Sequence, residues 1–228
     1  MGMRVKALLF DMGGTLVHSK EEFRLRKESL ARILRGLKYG VDNDLEKALR
    51  CWDSFPEDVE YIEHWDMARV ALLLAKLGIK PKPLLVEEIY KAVVQSSVEG
   101  WYFEDDCKET LLTLKERGYF LGVISNTGSR EQIMRLLIKG DLLELMDVVV
   151  TSQELGIKKP HPLIFKYTQL LLGLKSSEIA YVGNDPKADV EGAKNVGWVA
   201  VQKINEDVAP SPLADITIKK IKELLGYF

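Results

Sequence analysis

The sequence is poor in the residues that build disulfide frameworks and soft-metal clusters. Its 228 residues include two cysteines and three histidines. Cys51 and Cys107 stand apart without metal-ligand spacing, which argues against a stapled scaffold and fits a reducing compartment. Both read as core or boundary residues. An excess of one charge is missing too. Lys+Arg 32 against Asp+Glu 34 leaves a formal balance of -2, so no basic field draws the chain to nucleic acid or to an anionic membrane. Any anion must be gripped locally. No apolar run reaches the roughly 18 residues of a membrane helix, and the first residues lack the basic, apolar and small-residue order of a signal peptide. A cytoplasmic protein without nucleic-acid or membrane partners is the expectation. The length suits one large domain, or one domain carrying a smaller insertion.

What is present falls into two rhythms. Residues 5–10 are a short run apolar on both faces, as a central parallel strand is. Over 21–37, Phe23, Leu30, Ile33, Leu34 and Leu37 recur at helical spacing, and Gly36 and Gly40 close that helix. A shorter helix fits 45–52. A longer one follows Pro56 with Val59, Ile62, Trp65, Ala68, Leu72 and Ala75 on one face, and a fourth carries Val86, Ile89, Tyr90 and Val93. Residues 18–98 thus read as an all-helical block without strands, inserted between 1–17 and 99–228. From Asp105 onward helices and strands alternate. Helices open near Asp105 or Asp106, at Ser129, Pro162 and Pro186, and they stop at Gly118, Gly140, Gly173 and Gly197. The strands between them read "YFLGVIS", "DVVVTS", "EIAYVG" and "WVAVQ", with "ADITI" as a short sixth before a last helix. This alternation predicts a doubly wound, Rossmann-like α/β core with a parallel sheet and an inserted helical cap. Ligands then sit at the carboxyl ends of the strands.

The residues after four of the strands gather acids, ammonium groups, a hydroxyl and glycine-freed amides: "FDMGGTL", "VISNTG", "GIKKPHPLIF" and "YVGNDPKADVEGAKNVG". Such a set suits metal-assisted phosphoryl chemistry. These stretches resemble, in order, the four motifs of the haloacid dehalogenase superfamily, and residues 18–98 resemble that family's helical cap. The resemblance covers the whole chain. It implies a Mg²⁺-dependent phosphatase that hydrolyses a small phosphorylated metabolite through an aspartyl-phosphate on Asp11, splitting one displacement into two. It further implies that Thr15 orients Asp11. The resemblance also implies that Ser125, Asn126, Lys159 and the backbone about Met12 and Gly13 hold the phosphate. Mg²⁺ is implied at Asp11, the Gly13 carbonyl, Asp185 and Asp189, with Asp185 as direct ligand and Asp189 direct or through water.

Bland readings stand beside these. Asp185 before Pro186 also has the sequence of a helix N-cap, which is compatible with metal binding. Ser125 and Asn126 also read as loop polar groups, and Lys158 and Lys159 as a solvated pair. His18 reads as a hinge residue, His64 as a helix-surface residue, and Trp52 and Trp65 as cap core.

Two positions depart from the family pattern. Two residues after the nucleophile its phosphatases carry an aspartate that protonates the leaving group, and here Gly13 stands in its place. General acid catalysis contributes on the order of 10²–10⁴-fold, so poor leaving groups lose most. His18 and the cap glutamates are candidate replacements. Asn184 likewise occupies a position that is often aspartate. Two alternatives to the phosphatase follow: a phosphonatase-like C–P hydrolase using Lys20, Lys27 or Lys38, and a weakened phosphate-binding module. Oligomeric state is not legible.

Overall fold

β1 (Ala7–Phe10) is buried at every position. It leads through a tight loop to β2 (Val17–Ser19), then α1 (Glu22–Gly36), α2 (Leu45–Arg50), α3 (Asp66–Lys76), α4 (Pro83–Gly100) and β3 (Trp101–Phe103). The chain next alternates α5 (Cys107–Glu116), β4 (Phe120–Ser125), α6 (Arg130–Lys139), β5 (Val148–Thr151), α7 (Ser152–Leu155), α8 (Pro162–Leu172) and β6 (Ile179–Gly183). A π-helical turn at Pro186–Glu191 runs into α9 (Gly192–Asn195), and β7 (Val199–Lys203), β8 (Ile216–Ile218) and a 3-10 turn at Ile221–Gly226 follow. These elements come from a computed structural model that describes residues 5–19, 21–39, 45–50, 61–204 and 208–228.

Six strands form one parallel sheet in the order β5-β4-β1-β6-β7-β8. Alternate residues of β1 enter different apolar layers, as strand geometry requires. Leu8 and Phe10 pack with Leu111 of α5 and Leu136 of α6, while Ala7 and Leu9 pack with Phe165 of α8 and Trp198. The chain leaves β1 for β4 on one side and returns as β6 on the other. The crevice that this reversal opens lies at the carboxyl end of β1, where Asp11 stands. The doubly wound, Rossmann-like core is therefore as the sequence predicts.

Helices α1 to α4 bury an apolar cluster of their own, with Leu30, Leu34, Leu73, Leu74, Ile89 and Val93 in its interior. The expected face of α4 is the buried one. Other expectations change. The third helix starts at Asp66, so Ile62 and Trp65 lie outside it, and its buried face is Asp66, Val70, Leu73 and Leu74 rather than Ala68, Leu72 and Ala75. Trp65 is 50% exposed and is not core. His64 sits in the extended segment before α3, not on a helix. The block is not strand-free either, because Val17–Ser19 pairs antiparallel with Trp101–Phe103 and joins the two crossings between helices and sheet. The last element is a 3-10 turn instead of an α-helix. Lys20, Cys51, Trp52, Pro56 and Val59 lie outside the described residues.

Candidate active site

Asp11 is the first residue past β1, and its N–H donates to Val182 O at 2.9 Å, which holds it between β1 and β6. Met12 O then accepts both Leu16 N at 2.9 Å and Val17 N at 3.0 Å, folding residues 12–17 into a tight loop. Gly14 turns that loop with φ +77, and a Cβ there would fall 2.8 Å from the Asn184 amide, so glycine is required on two counts. Thr15 is fully buried beneath the loop. Its Oγ1 lies 3.3 Å from Asp11 Oδ2 and 3.2 Å from Asn184 Oδ1. One hydroxyl proton serves one acceptor at a time, and the charged carboxylate is the stronger.

Lys159 is the hub. Its side chain is 2% exposed, and Nζ donates at 2.7 Å to Asp11 Oδ1, to Asp189 Oδ1 and to Tyr181 Oη. All three ammonium protons are thereby placed. Burial pushes the ammonium pKa down, but the Asp11 and Asp189 carboxylates outweigh it and leave the group above its ordinary value. Tyr181 passes its own proton to Ile124 O at 2.7 Å, and burial with two nearby carboxylates raises its pKa, so the phenol stays neutral. Burial also lifts Asp189 to about 6, with Lys159 opposing. The solvated reading of Lys159 is overturned: a buried cation between two carboxylates is part of a built site.

Asn126 has a task the sequence did not show. Its Oδ1 accepts Lys159 N at 2.7 Å and its Nδ2 donates to Lys159 O at 3.0 Å, so the side chain positions the lysine, and the residue also lines the cavity beside Ser125. Ser125, at the end of β4 and 4% exposed, lines the cavity in front of the site beside Met12 and Gly13.

Asp185 takes the N-cap role that its place before Pro186 predicts. Its Oδ1 accepts Lys187 N and Ala188 N at 2.8 Å, capping the π-helical turn, and the residue is exposed. Asp189 faces inward because Val190 N reaches back to Asp185 O, the wider π spacing, and Asp185 N meets Asp189 Oδ2 at 2.9 Å. Among the described residues no three acidic, histidine or cysteine side chains gather as a cluster. The oxygen beside Asp11 belongs to Asn184. Asp11 Oδ2 and Asn184 Oδ1 flank one hydroxyl, and with the Gly13 carbonyl they form an all-oxygen donor set that fits a hard cation such as Mg²⁺.

A cavity of about 300 Å³ opens over this rim, lined by Gly13, Ser125 and Thr127 from the strand ends and by Arg26, Asp66 and Arg69 from α1 and α3. Sequence reasoning missed those three, and also Trp101, which lines the same space. Burial raises the Asp66 carboxyl while Arg69, 3.1 Å away, opposes it. The segment before α3 is stitched to the sheet side: Lys158 N donates to Tyr61 O at 2.8 Å, Glu63 N to Gly156 O at 2.9 Å, and Asp66 N to Gly128 O at 2.9 Å. Ser152 Oγ adds a bond to Glu63 Oε2 at 2.7 Å. Among the described residues no candidate replacement acid lines this cavity. His18 sits 2.9 Å from Glu104, Glu63 is used in docking, and neither lines the cavity. Nor do the two candidate lysines among the described residues, since Lys27 pairs with Glu46 at 2.5 Å and Lys38 is exposed past the end of α1.

A family model described as haloacid dehalogenase-like hydrolase matches residues 8–202. A glyceraldehyde 3-phosphate phosphatase of Methanocaldococcus jannaschii is 30% identical over 227 residues, covering 97% of this chain and 96% of that protein. Among solved structures, a HAD phosphatase from Thermococcus onnurineus is similar at TM-score 0.74 and 26% identity, covering 98% of this chain and 99% of that one. A 2-haloacid dehalogenase from Pseudomonas syringae shares the fold at TM-score 0.78 and 21% identity, covering 98% and 97%.

Proposed function

The chain belongs to the haloacid dehalogenase-like hydrolases and is a hydrolase, and from that premise we propose that it is a Mg²⁺-dependent phosphatase of a small phosphate ester. Asp11 is the nucleophile and carries an aspartyl-phosphate. The observation that supports this most directly is the buried Lys159 ammonium held between Asp11 and Asp189. Lys159 places Asp11 Oδ1 and offers positive charge where phosphoryl oxygens arrive. Thr15 keeps Oδ2 oriented, Tyr181 fixes the ammonium from behind, and Asn126 sets the backbone that carries it. Ser125 and the amides about Met12 and Gly13 hold the phosphate. Asp11, Asn184 and the Gly13 carbonyl hold the metal, with Asp189 behind them. When bound, Mg²⁺ supplies charge that offsets the developing negative charge on the phosphoryl oxygens.

Residues 18–98 act as a cap over a catalytic core of 1–17 and 99–228, and the stitched segment ahead of α3 is where the cap meets the core. Closure there excludes bulk water from the cavity. A space of about 300 Å³ suits a substrate of a few carbons. Glyceraldehyde 3-phosphate, in the name of the Methanocaldococcus relative, is the first physiological ester to assay.

The test is hydrolysis of p-nitrophenyl phosphate and of glyceraldehyde 3-phosphate by wild type and Asp11→Asn, with Mg²⁺ and with EDTA. Metal-dependent turnover that falls at least about a thousandfold in D11N is expected. Turnover equal in the two proteins would remove Asp11 as nucleophile, and turnover unaffected by EDTA would remove the metal.

A further inference from the structure

The cavity beside the loop that follows Asp11, lined there by Met12 and Gly13, is bounded at Gly13 by a side chain from outside all four motifs. Trp101, the first residue of β3, brings the far edge of its indole against Gly13. A Cβ built on Gly13 falls 3.1 Å from Trp101 Cη2 and 3.3 Å from Cζ3. Gly13 is not among the glycines with positive φ, so its backbone accepts a side chain and the limit is space. A methyl group fits after a shift of a few tenths of an ångström, whereas a longer side chain has to displace the ring.

The ring is held by its surroundings. Trp101 pairs with Ser19 across the two-stranded ribbon, its carbonyl accepts Lys139 Nζ at 2.7 Å, and its indole packs on the layer that contains Leu111 and Leu136. The indole Nε1 is buried and makes no hydrogen bond among the described residues, so packing alone sets the ring's position. Gly13 and Trp101 line the same cavity as Ser125 and Arg69. Asp11 and Lys159 do not line that cavity, but Met12 and Gly13 of the Asp11 loop do, so an ester with its phosphate at Asp11 extends past Gly13 towards Trp101.

We propose that Trp101 determines leaving-group specificity: its indole fills the volume that a side chain at position 13 would use, and so limits the leaving group's size and keeps any side-chain acid at position 13 away from Asp11. The chemical half of this inference rests on the phosphatase reading above. The steric half rests on packing alone.

The experiment compares methyl, propyl and branched alkyl phosphates with p-nitrophenyl phosphate in wild type, W101F, W101A, G13D and G13D/W101A. Melting temperatures are measured for these and for G13A and G13A/W101A. W101A is expected to raise kcat/KM for branched relative to methyl esters by roughly tenfold, with W101F between it and wild type. G13D alone is expected to melt lower than wild type and to lose activity on every ester. G13D/W101A should recover, and should favour alkyl over aryl esters more than W101A does. G13A should lower the melting temperature with Trp101 present and not in the W101A background. Leaving-group ratios in W101A within twofold of wild type would overturn the proposal, as would a G13D protein that melts normally and gains alkyl activity. If W101A does not fold, the W101F ratios decide. Wild type inactive on every ester sinks the phosphatase reading and the leaving-group half with it, while the melting cycle still decides the steric half.

Discussion

Burial pushes the Cys107 thiol up to about 12, with Glu104 and Asp106 adding to the shift and Lys203 opposing it. Because the folded value lies above the unfolded one, the associated stability is complete below pH 9 and is lost as pH rises towards 12. Two results are expected. Iodoacetamide leaves Cys107 unmodified in the native protein at pH 8 and labels it after unfolding in urea, with peptide mapping to separate it from Cys51. C107A loses less stability than wild type between pH 9 and 11, by up to about 1.4 kcal/mol per pH unit; equal slopes would remove the thiol as their source. At this scale the sequence read well wherever residue type and position already determine a role. Asp11 directly follows a strand end, and Lys159, which alone also reads as solvated, was placed by its motif. For Asn126 and Asp185 position places a polar group on the rim without saying which way its side chain turns: Asn126 also engages the Lys159 backbone, and Asp185 makes the N-cap that its place before Pro186 predicts. Tyr181 was missed because a tyrosine inside an apolar strand reads as core, and only the fold brings Lys159 to its hydroxyl.

Elements whose apolar pattern has one solution were legible from sequence, and α3 was not one of them. Within Asp66–Lys76 apolar residues occupy Met67, Ala68, Val70, Ala71, Leu72, Leu73, Leu74 and Ala75, so several helical faces satisfy the periodicity. Packing on α4 selects Val70, Leu73 and Leu74. The docking segment ahead of α3 was equally hidden, since its bonds to residues 128, 156 and 158 run largely through backbone and leave no side-chain pattern. That segment supplies an element-scale prediction. A Cβ on Gly128 would fall 2.3 Å from Asp66 Oδ1 and 2.5 Å from His64 O, closer than real contacts allow. Gly128→Ala is therefore expected to lift residues 64–66 from the loop after β4, lowering the melting temperature and raising KM roughly tenfold through a misplaced Asp66 and Arg69. Urea melts and a KM-against-kcat split test this. A fall in kcat at unchanged KM would mean that the segment does not shape the cavity.

Across the whole molecule, two apolar interiors, one in the sheet layers and one among α1 to α4, are joined covalently by the chain crossings at β2 and β3. The sequence showed the two rhythms and so the two interiors. It did not show that the crossings pair with each other, because three-residue strands fall below any periodicity. One carboxylate bridges that ribbon to the sheet. Glu104, just past β3, lies 2.6 Å from Nζ of Lys203 on β7 and 2.9 Å from Nε2 of His18 on β2. The Lys203 side chain is 2% exposed and that of Glu104 24%, so solvent screens the pair far less than a surface bridge. Glu104→Gln keeps the shape and removes the charge, which leaves a buried ammonium facing a neutral amide. The expected cost is about 3 kcal/mol in urea unfolding, with little dependence on added salt. Since the same ribbon carries Trp101 to Gly13, the substitution should also raise KM for the phosphate ester. A cost below about 1 kcal/mol that vanishes in high salt is the signature of a solvated pair, and it would leave ribbon pairing, apolar packing and the Lys139 bond to the Trp101 carbonyl to hold this crossing.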